Sequence, residues 1–276
     1  MKSKQLIDGN LDRNRGIPEI SLAQKEYLQN CKRERRFIRS WQWIIMILFL
    51  GFWEVGARTG FINAFVFSSP SRVLDTVVSM AKDGSLWYHT GITLAETFLS
   101  FFLILLLGIG IAVLLWWNTR LSGILEPYLV MLNSLPKSAL APVFIVWLGA
   151  NMKTIIVAAV SVAVFGTVLT LYHSFSETEE DKLKLIITLG GGKKDILKKV
   201  ILPGNIPTVV SLMKVNLGLA LVGVIIGEFL AAKAGLGYLI IYASQVFKLD
   251  IVISSIFLLC VISVLLYHAI AKLEKR

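Results

Sequence analysis

Residues 183–207 read Leu-Lys-Leu-Ile-Ile-Thr-Leu-Gly-Gly-Gly-Lys-Lys-Asp-Ile-Leu-Lys-Lys-Val-Ile-Leu-Pro-Gly-Asn-Ile-Pro, a charged amphipathic island between two apolar segments that are each long enough to cross a bilayer. Leu183, Ile186, Ile187 and Gly190 fall at i, i+3, i+4 and i+7. A three-glycine break, Gly190 to Gly192, follows. Ile196, Leu197, Val200 and Ile201 then make a second stripe that ends at Pro203. The spacing predicts two short helices at an angle, with Gly190 as the turn. An apolar stripe on a solvated loop needs a protein partner or a lipid surface to cover it.

Working outward, the 276 residues are 55% hydrophobic, more than a soluble domain of ordinary composition carries. The chain reads as an all-α integral membrane protein. Spans are expected at 41–57, 91–117, 124–148, 154–173, 206–231 and 250–271, each near the roughly 20 residues needed to cross the hydrocarbon core. The third carries Pro127, Pro136, Lys137 and Pro142, which break or kink a helix. Lipid tolerates such a break only where neighbouring protein or a water-filled cavity satisfies the freed backbone.

Six spans place both termini on one side, and the basic residues decide which. Lys32, Arg33, Arg35, Arg36 and Arg39 close a basic arm over residues 1–39; Lys182, Lys184, Lys193, Lys194, Lys198 and Lys199 crowd the 174–205 loop; Lys272, Lys275 and Arg276 end the chain. All fall on the cytoplasmic side of one consistent arrangement. Arg58, Arg72, Lys82, Lys153, Lys233 and Lys248 fall on the other. The net charge of +10 is thus a topology signal. Nucleic-acid binding is not expected, because no stacking platform of aromatics is interleaved with the basic residues.

The first span is expected to stay as an anchor, since no small-residue cleavage site follows it. Cys31 and Cys260 have no disulfide or metal spacing. Ser69-Pro70 reads as an N-cap with proline at the first helical position, followed by Val73, Leu74, Val77, Val78 and Met80. This short outer helix would lie at the lipid interface or help receive a partner protein.

Catalysis within the chain has little support. Gly190-Gly191-Gly192-Lys193-Lys194 lacks the glycine spacing and the Ser or Thr of a phosphate-binding loop, and His89, His173 and His268 sit in no metal pattern. No cofactor is expected. Polar groups inside spans are the better clues, because lysine or glutamate in hydrocarbon costs several kcal/mol unless it faces a cavity or a partner. Lys137 shares the broken span with Asn133, Ser134 and Ser138; these line a translocation path, or Lys137 packs against its own freed carbonyls. Lys214 lines the path or snorkels to the cytoplasmic interface, and Asn216 points to a different side of that helix. Glu228, near the outer end of the fifth span, reads as an interfacial carboxylate. Gly218, Gly223 and Gly227 offer close-packing sites that suit a helix dimer and an intrachain contact equally.

Thr188-Leu189-Gly190, followed thirteen residues later by Pro203, resembles the cytoplasmic loop of ABC importer permeases, with Leu185-Ile186-Ile187 where that family has Glu-Ala-Ala. Ser69-Pro70-Ser71 with Val73, Leu135-Pro136 with Ala139 and Pro142, Ile145-Val146-Trp147-Leu148-Gly149, and Glu228 followed by Ala234-Gly235-Leu236-Gly237-Tyr238 resemble the nitrate/sulfonate/taurine branch. The resemblance covers residues 40–275. It implies a type I importer bundle of six helices with both termini inside, and a permease domain over 40–276 whose coupling loop docks on a separate ATPase subunit. Leu183, Ile186, Ile187, Gly190, Gly191, Gly192, Ile196, Leu197, Val200 and Pro203 would carry the docking. It further implies a homodimer with two ATPases, an extracytoplasmic solute-binding protein, and cargo such as a sulfonate, nitrate, taurine or a vitamin precursor. The competing reading is a secondary transporter or channel that uses its intramembrane charges; a membrane scaffold is a third. No internal repeat supports a secondary transporter.

Overall fold

The computed structural model describes residues 22–274; residues 1–21 of the basic arm, and Lys275 and Arg276, lie outside it, as do the side chains of residues 22–32, Arg35, Leu273 and Glu274. Contacts divide the chain after Val55. The described part of the first unit belongs to helix α1 (Leu22–Arg58), which runs three residues past that division and whose Arg36–Arg58 stretch is apolar enough to span a membrane. Arg33, Arg36 and Arg39 are exposed on it.

The second unit begins at the end of α1. Helices α2 (Ala64–Phe67) and α3 (Pro70–Lys82) lead into the long α4 (Ser85–Trp117). Ser69 caps α3 as its sequence dictates, accepting the Arg72 N–H at 3.4 Å with Pro70 behind it. Val73 and Met80 turn inward, while Leu74 and Val78 stay exposed. The following pair, α5 (Thr119–Ser134) and α6 (Lys137–Leu148), bends by 98° at Leu135-Pro136. Helix α7 (Met152–Ser176) follows. The loop folds as α8 (Glu180–Thr188), α9 (Lys193–Ile196), a π-helical turn (Leu197–Ile201) and α10 (Leu202–Gly204). Helices α11 (Ile206–Ala231), α12 (Leu236–Gln245) and α13 (Leu249–Glu274) complete the chain.

Single residues join α4 to α5 and three residues join α6 to α7, so the bent pair must run from the inner end of α4 to the outer end of α7. It is one broken span. With α1, α4, α7, α11 and α13 it makes the six expected crossings, each within three residues of the expected bounds except at the N-terminal ends of the first three, which begin five or six residues earlier.

The core is the packing of α4, α7 and α11. Gly223 and Gly227 explain how α7 and α11 come so close: a Cβ on Gly223 would stand 2.6 Å from Ala159 Cα, and one on Gly227 2.9 Å from Ile155 Cα. The small-residue spacing therefore serves an intrachain contact, not a helix dimer; Gly218 has open space around it. Phe101, Ile104, Ala163, Leu217 and Ala220 fill the centre of the three-helix contact.

Candidate functional site

The loop between α7 and α11 is built on the inner ends of α4 and α7. Leu183, Ile186, Ile196 and Leu197 pack with Ala112, Leu171, Phe175 and Ile201, so the stripe expected to need an outside cover finds it within the chain. The reason lies in length: α4 and α7, at 33 and 25 residues, exceed the roughly 20 that a crossing needs, and they supply Trp116 and Tyr172 beside the loop. What remains uncovered lies off that stripe or at its edge. Leu185 is 58%, Ile187 58% and Leu189 76% exposed, with Leu202 beyond them. Val200 is half-buried and Pro203 exposed.

Gly190 has φ +78°, the left-handed conformation that a side chain disfavours, and its N–H closes α8 on Ile187 O at 2.9 Å. Gly191 is crowded instead: a Cβ there would meet Ile186 O at 3.0 Å. Gly192 opens α9, and Asp195 accepts its N–H at 3.1 Å while pairing with Lys199 at 3.1 Å. These partners, Lys199 first, hold the Asp195 carboxyl below the usual carboxylate range. The widened turn at 197–201 precedes Pro203, whose ring would collide with the carbonyl four residues back in a regular helix.

Two braces fix this segment to the bundle, and a third contact joins the helices beside it. Lys193 Nζ donates to Trp117 O at 2.6 Å and lies 5.5 Å from the centres of both the Trp116 and Trp117 rings. Ser174 Oγ donates to Asn205 Oδ1 at 2.5 Å, and Asn205 Nδ2 to Ile201 O at 2.8 Å. His173 Nε2 lies 3.8 Å from Glu126 Oε1, linking α7 to α5. The sequence reading named none of these contacts. The short polar run Ser174, Asn205 and Thr208 at the span ends was the available signal.

The broken span holds its charge close. Lys137 Nζ donates to Leu132 O, to Asn133 O at 2.8 Å and to Leu135 O at 3.0 Å, and lies 5.6 Å from the Phe165 ring centre. The freed carbonyls at the end of α5 thus take the lysine, the second of its two readings. Asn133, Ser134 and Ser138 are exposed beside it. Lys214 lies with Ser263 and Tyr267 in a pocket of about 60 Å³ between α11 and α13. Within one copy, Lys137 and Lys214 are therefore held by different elements. Asn216 is buried against α7, accepting the Thr167 hydroxyl at 3.0 Å.

Glu228 departs from expectation. It is 1% exposed, not interfacial, because the turn from α11 into α12 folds back over it. Its carboxylate accepts the Thr93 hydroxyl at 2.7 Å and the Gly237 N–H at 2.5 Å. Glu96, 3% exposed, lies beside it and was passed over in the sequence, although an acidic residue inside the second span was the signal.

Comparison with known proteins accords with this geometry. Residues 104–276 match the family described as binding-protein-dependent transport system inner membrane component. A probable ABC transporter permease protein of Haemophilus influenzae is 31% identical over 84% of this chain and 94% of its own length. The formylaminopyrimidine transport permease of Halalkalibacterium halodurans is 27% identical over 84% and 92%, and the taurine transport permease of Escherichia coli 24% over 84% and 86%. Among solved structures, an inward-facing form of the methionine ABC transporter superposes with a TM-score of 0.60 at 20% identity, over 67% of this chain and 92% of that one. By family match and identity, the chain belongs to the inner-membrane components of binding-protein-dependent transport systems and is a multi-pass permease of that class.

Proposed function

We propose that this permease is the membrane-spanning part of an importer whose ATP hydrolysis resides in separate cytoplasmic subunits, docked on α8 and α9. The observation that carries this reading is the uncovered pair Leu185 and Leu189, one turn apart, with Ile187 exposed at the edge of the packed stripe, on a segment that is otherwise pinned to the bundle. A rigidly braced apolar face is suited to receive a partner and to pass its motion on. Two copies of the chain would enclose the pore, with the exposed Val146 and Trp147 of α6 available for contact in the membrane. Solute would arrive on an extracytoplasmic binding protein. Relatives named for taurine, aliphatic sulfonates, formylaminopyrimidine and riboflavin support a small organic anion or a vitamin precursor as cargo.

The test is retention of the ATPase. Leu185→Ser combined with Leu189→Ser removes exposed apolar surface without touching the packed stripe. The double variant is expected to reach the membrane at the wild-type level but to lose most of the ATPase chain on purification. Full retention would move the docking surface elsewhere.

A further inference from the structure

Two non-glycine residues among those described have positive φ, Ser68 at +53° and Phe247 at +57°. Both stand at one groove of about 410 Å³ on the outer surface. Arg72, Thr76, Ser79 and Asp83 of α3 form one wall, and Phe247 and Lys248 of the α12–α13 turn the other. Ser68 is accounted for inside the fold: it is fully buried, and its hydroxyl donates to Asp250 Oδ1 at 2.6 Å. Asp250 also accepts Arg72 Nη2 at 2.8 Å, Arg72 Nη1 donates to Ala64 O at 3.0 Å, and Ser254 Oγ donates to Val73 O at 3.3 Å. These bonds tie α3 to the start of α13, so the groove between them has fixed walls.

Phe247 has no such account. Helix α12 ends in the paired bonds of a Schellman motif, with the Lys248 N–H on Ala243 O at 2.9 Å and the Phe247 N–H on Ser244 O at 3.3 Å. Residue 247 is therefore the left-handed position just past the helix cap, where glycine fits freely and a Cβ crowds its own backbone. Phenylalanine stands there with its ring 70% exposed. A ring that served the fold would be covered by it. The chain instead holds a strained residue whose side chain gives little packing in return, and strain of that kind collects where a protein meets its ligands.

We propose that Phe247 and the groove beside it are the landing site of the extracytoplasmic solute-binding protein, whose surface covers the ring with an apolar pocket. This landing site presupposes the importer proposed above and lies on the opposite face from the ATPase. Charge selects the occupant. Lys248 and Asp83, on opposite walls, make no ion pair among the described residues, so a partner with a carboxylate opposite Lys248 and a basic side chain opposite Asp83 pairs both. Lipid tails would leave those charges and the hydroxyls of Thr76 and Ser79 against an apolar medium. An aromatic anchor within a polar, charged rim is the anatomy of a protein–protein contact.

The test uses the full-length permease with its ATPase in lipid vesicles, and the exported solute-binding protein that stimulates ATP hydrolysis by that complex. Phe247→Gly removes the ring and the strain together. It is expected to raise the thermal midpoint of the permease, yet to increase at least tenfold the concentration of binding protein that gives half-maximal stimulation. Lys248→Glu should raise that concentration too, more at low salt than at high. Benzoylphenylalanine placed at 247 is expected to photocrosslink to the binding protein, which decides the matter if Phe247→Gly fails to accumulate. Crosslinks to lipid alone or to a second copy of the chain would overturn the proposal, as would a wild-type stimulation curve in Phe247→Gly. Crosslinks to the binding protein from the exposed Phe61 or Tyr88 but not from 247 would move the landing site and leave the importer reading intact. No stimulation, and no crosslink from any of the three, would remove both.

Discussion

At the scale of single residues, the decisive positions are those where a side chain or its absence meets a fixed neighbour. Gly190→Ala has open space but must hold φ +78°, so a modest loss of ATPase retention is expected. Gly190→Val adds β-branching at the same φ and should cause a severe loss; normal retention with normal stimulated ATP hydrolysis would show that the bend lies elsewhere. Gly223→Val meets the backbone of α7 itself. Overpacking of that kind costs roughly 1–3 kcal/mol, read as a lower thermal midpoint of the purified chain. Lys137→Met is expected to lower the amount of folded protein, because three carbonyls at the break lose their donor in the membrane. Abundant, stable Lys137→Met protein that imports slowly would instead return the lysine to the solute path. These residues were unevenly legible. Gly190 followed from the period of its flanking stripes, whereas Thr93 meets Glu228 and Leu236 from 135 and 143 residues away, which no local pattern reveals.

At the scale of elements, the cytoplasmic segment behaves as one braced unit, and its short helix α9 depends on a side chain. Asp195 accepts the Gly192 N–H and pairs with Lys199, and its folded pKa lies below the ordinary value. A depressed carboxyl contributes stability that is present above its unfolded pKa and is lost as pH falls through the lower folded one. Asp195→Asn should therefore be less stable than the wild type near neutrality, with the gap closing in acid; a gap that persists unchanged at low pH would rule out the charge as its source. The element boundaries were largely readable, because apolar length and basic flanks fix a span from physics alone. What the sequence left hidden was which stripe faces inward. Leu183 and Ile186 share a helical face with Ile187, yet the first two pack on α4 and α7 while Ile187 stays exposed. Periodicity gives the direction of a stripe around its own axis and says nothing of the wall beside it.

At the scale of the whole molecule, the single charge imbalance orients every crossing, and three helices, α4, α7 and α11, hold most of the buried core. The third crossing is the exception. At 1.5 Å per residue, α5 covers about 24 Å and α6 about 18 Å, so neither alone spans a hydrocarbon layer of about 30 Å, and the 98° bend keeps them from acting as a single rod. The consequence is one of biogenesis. A nascent chain released from the ribosome after residue 148 has made the bent pair but not α7, whose Phe165 flanks the Lys137 joint. Lys137 still satisfies the carbonyls at the break, but its charge and the bent pair then face lipid without the helix that flanks them, so the insertion machinery must retain the chain until α7 emerges. Arrested chains ending at 148 are expected to remain extractable by alkali, and those ending beyond 176 to be integrated; equal resistance at both lengths would mean that the pair inserts unaided.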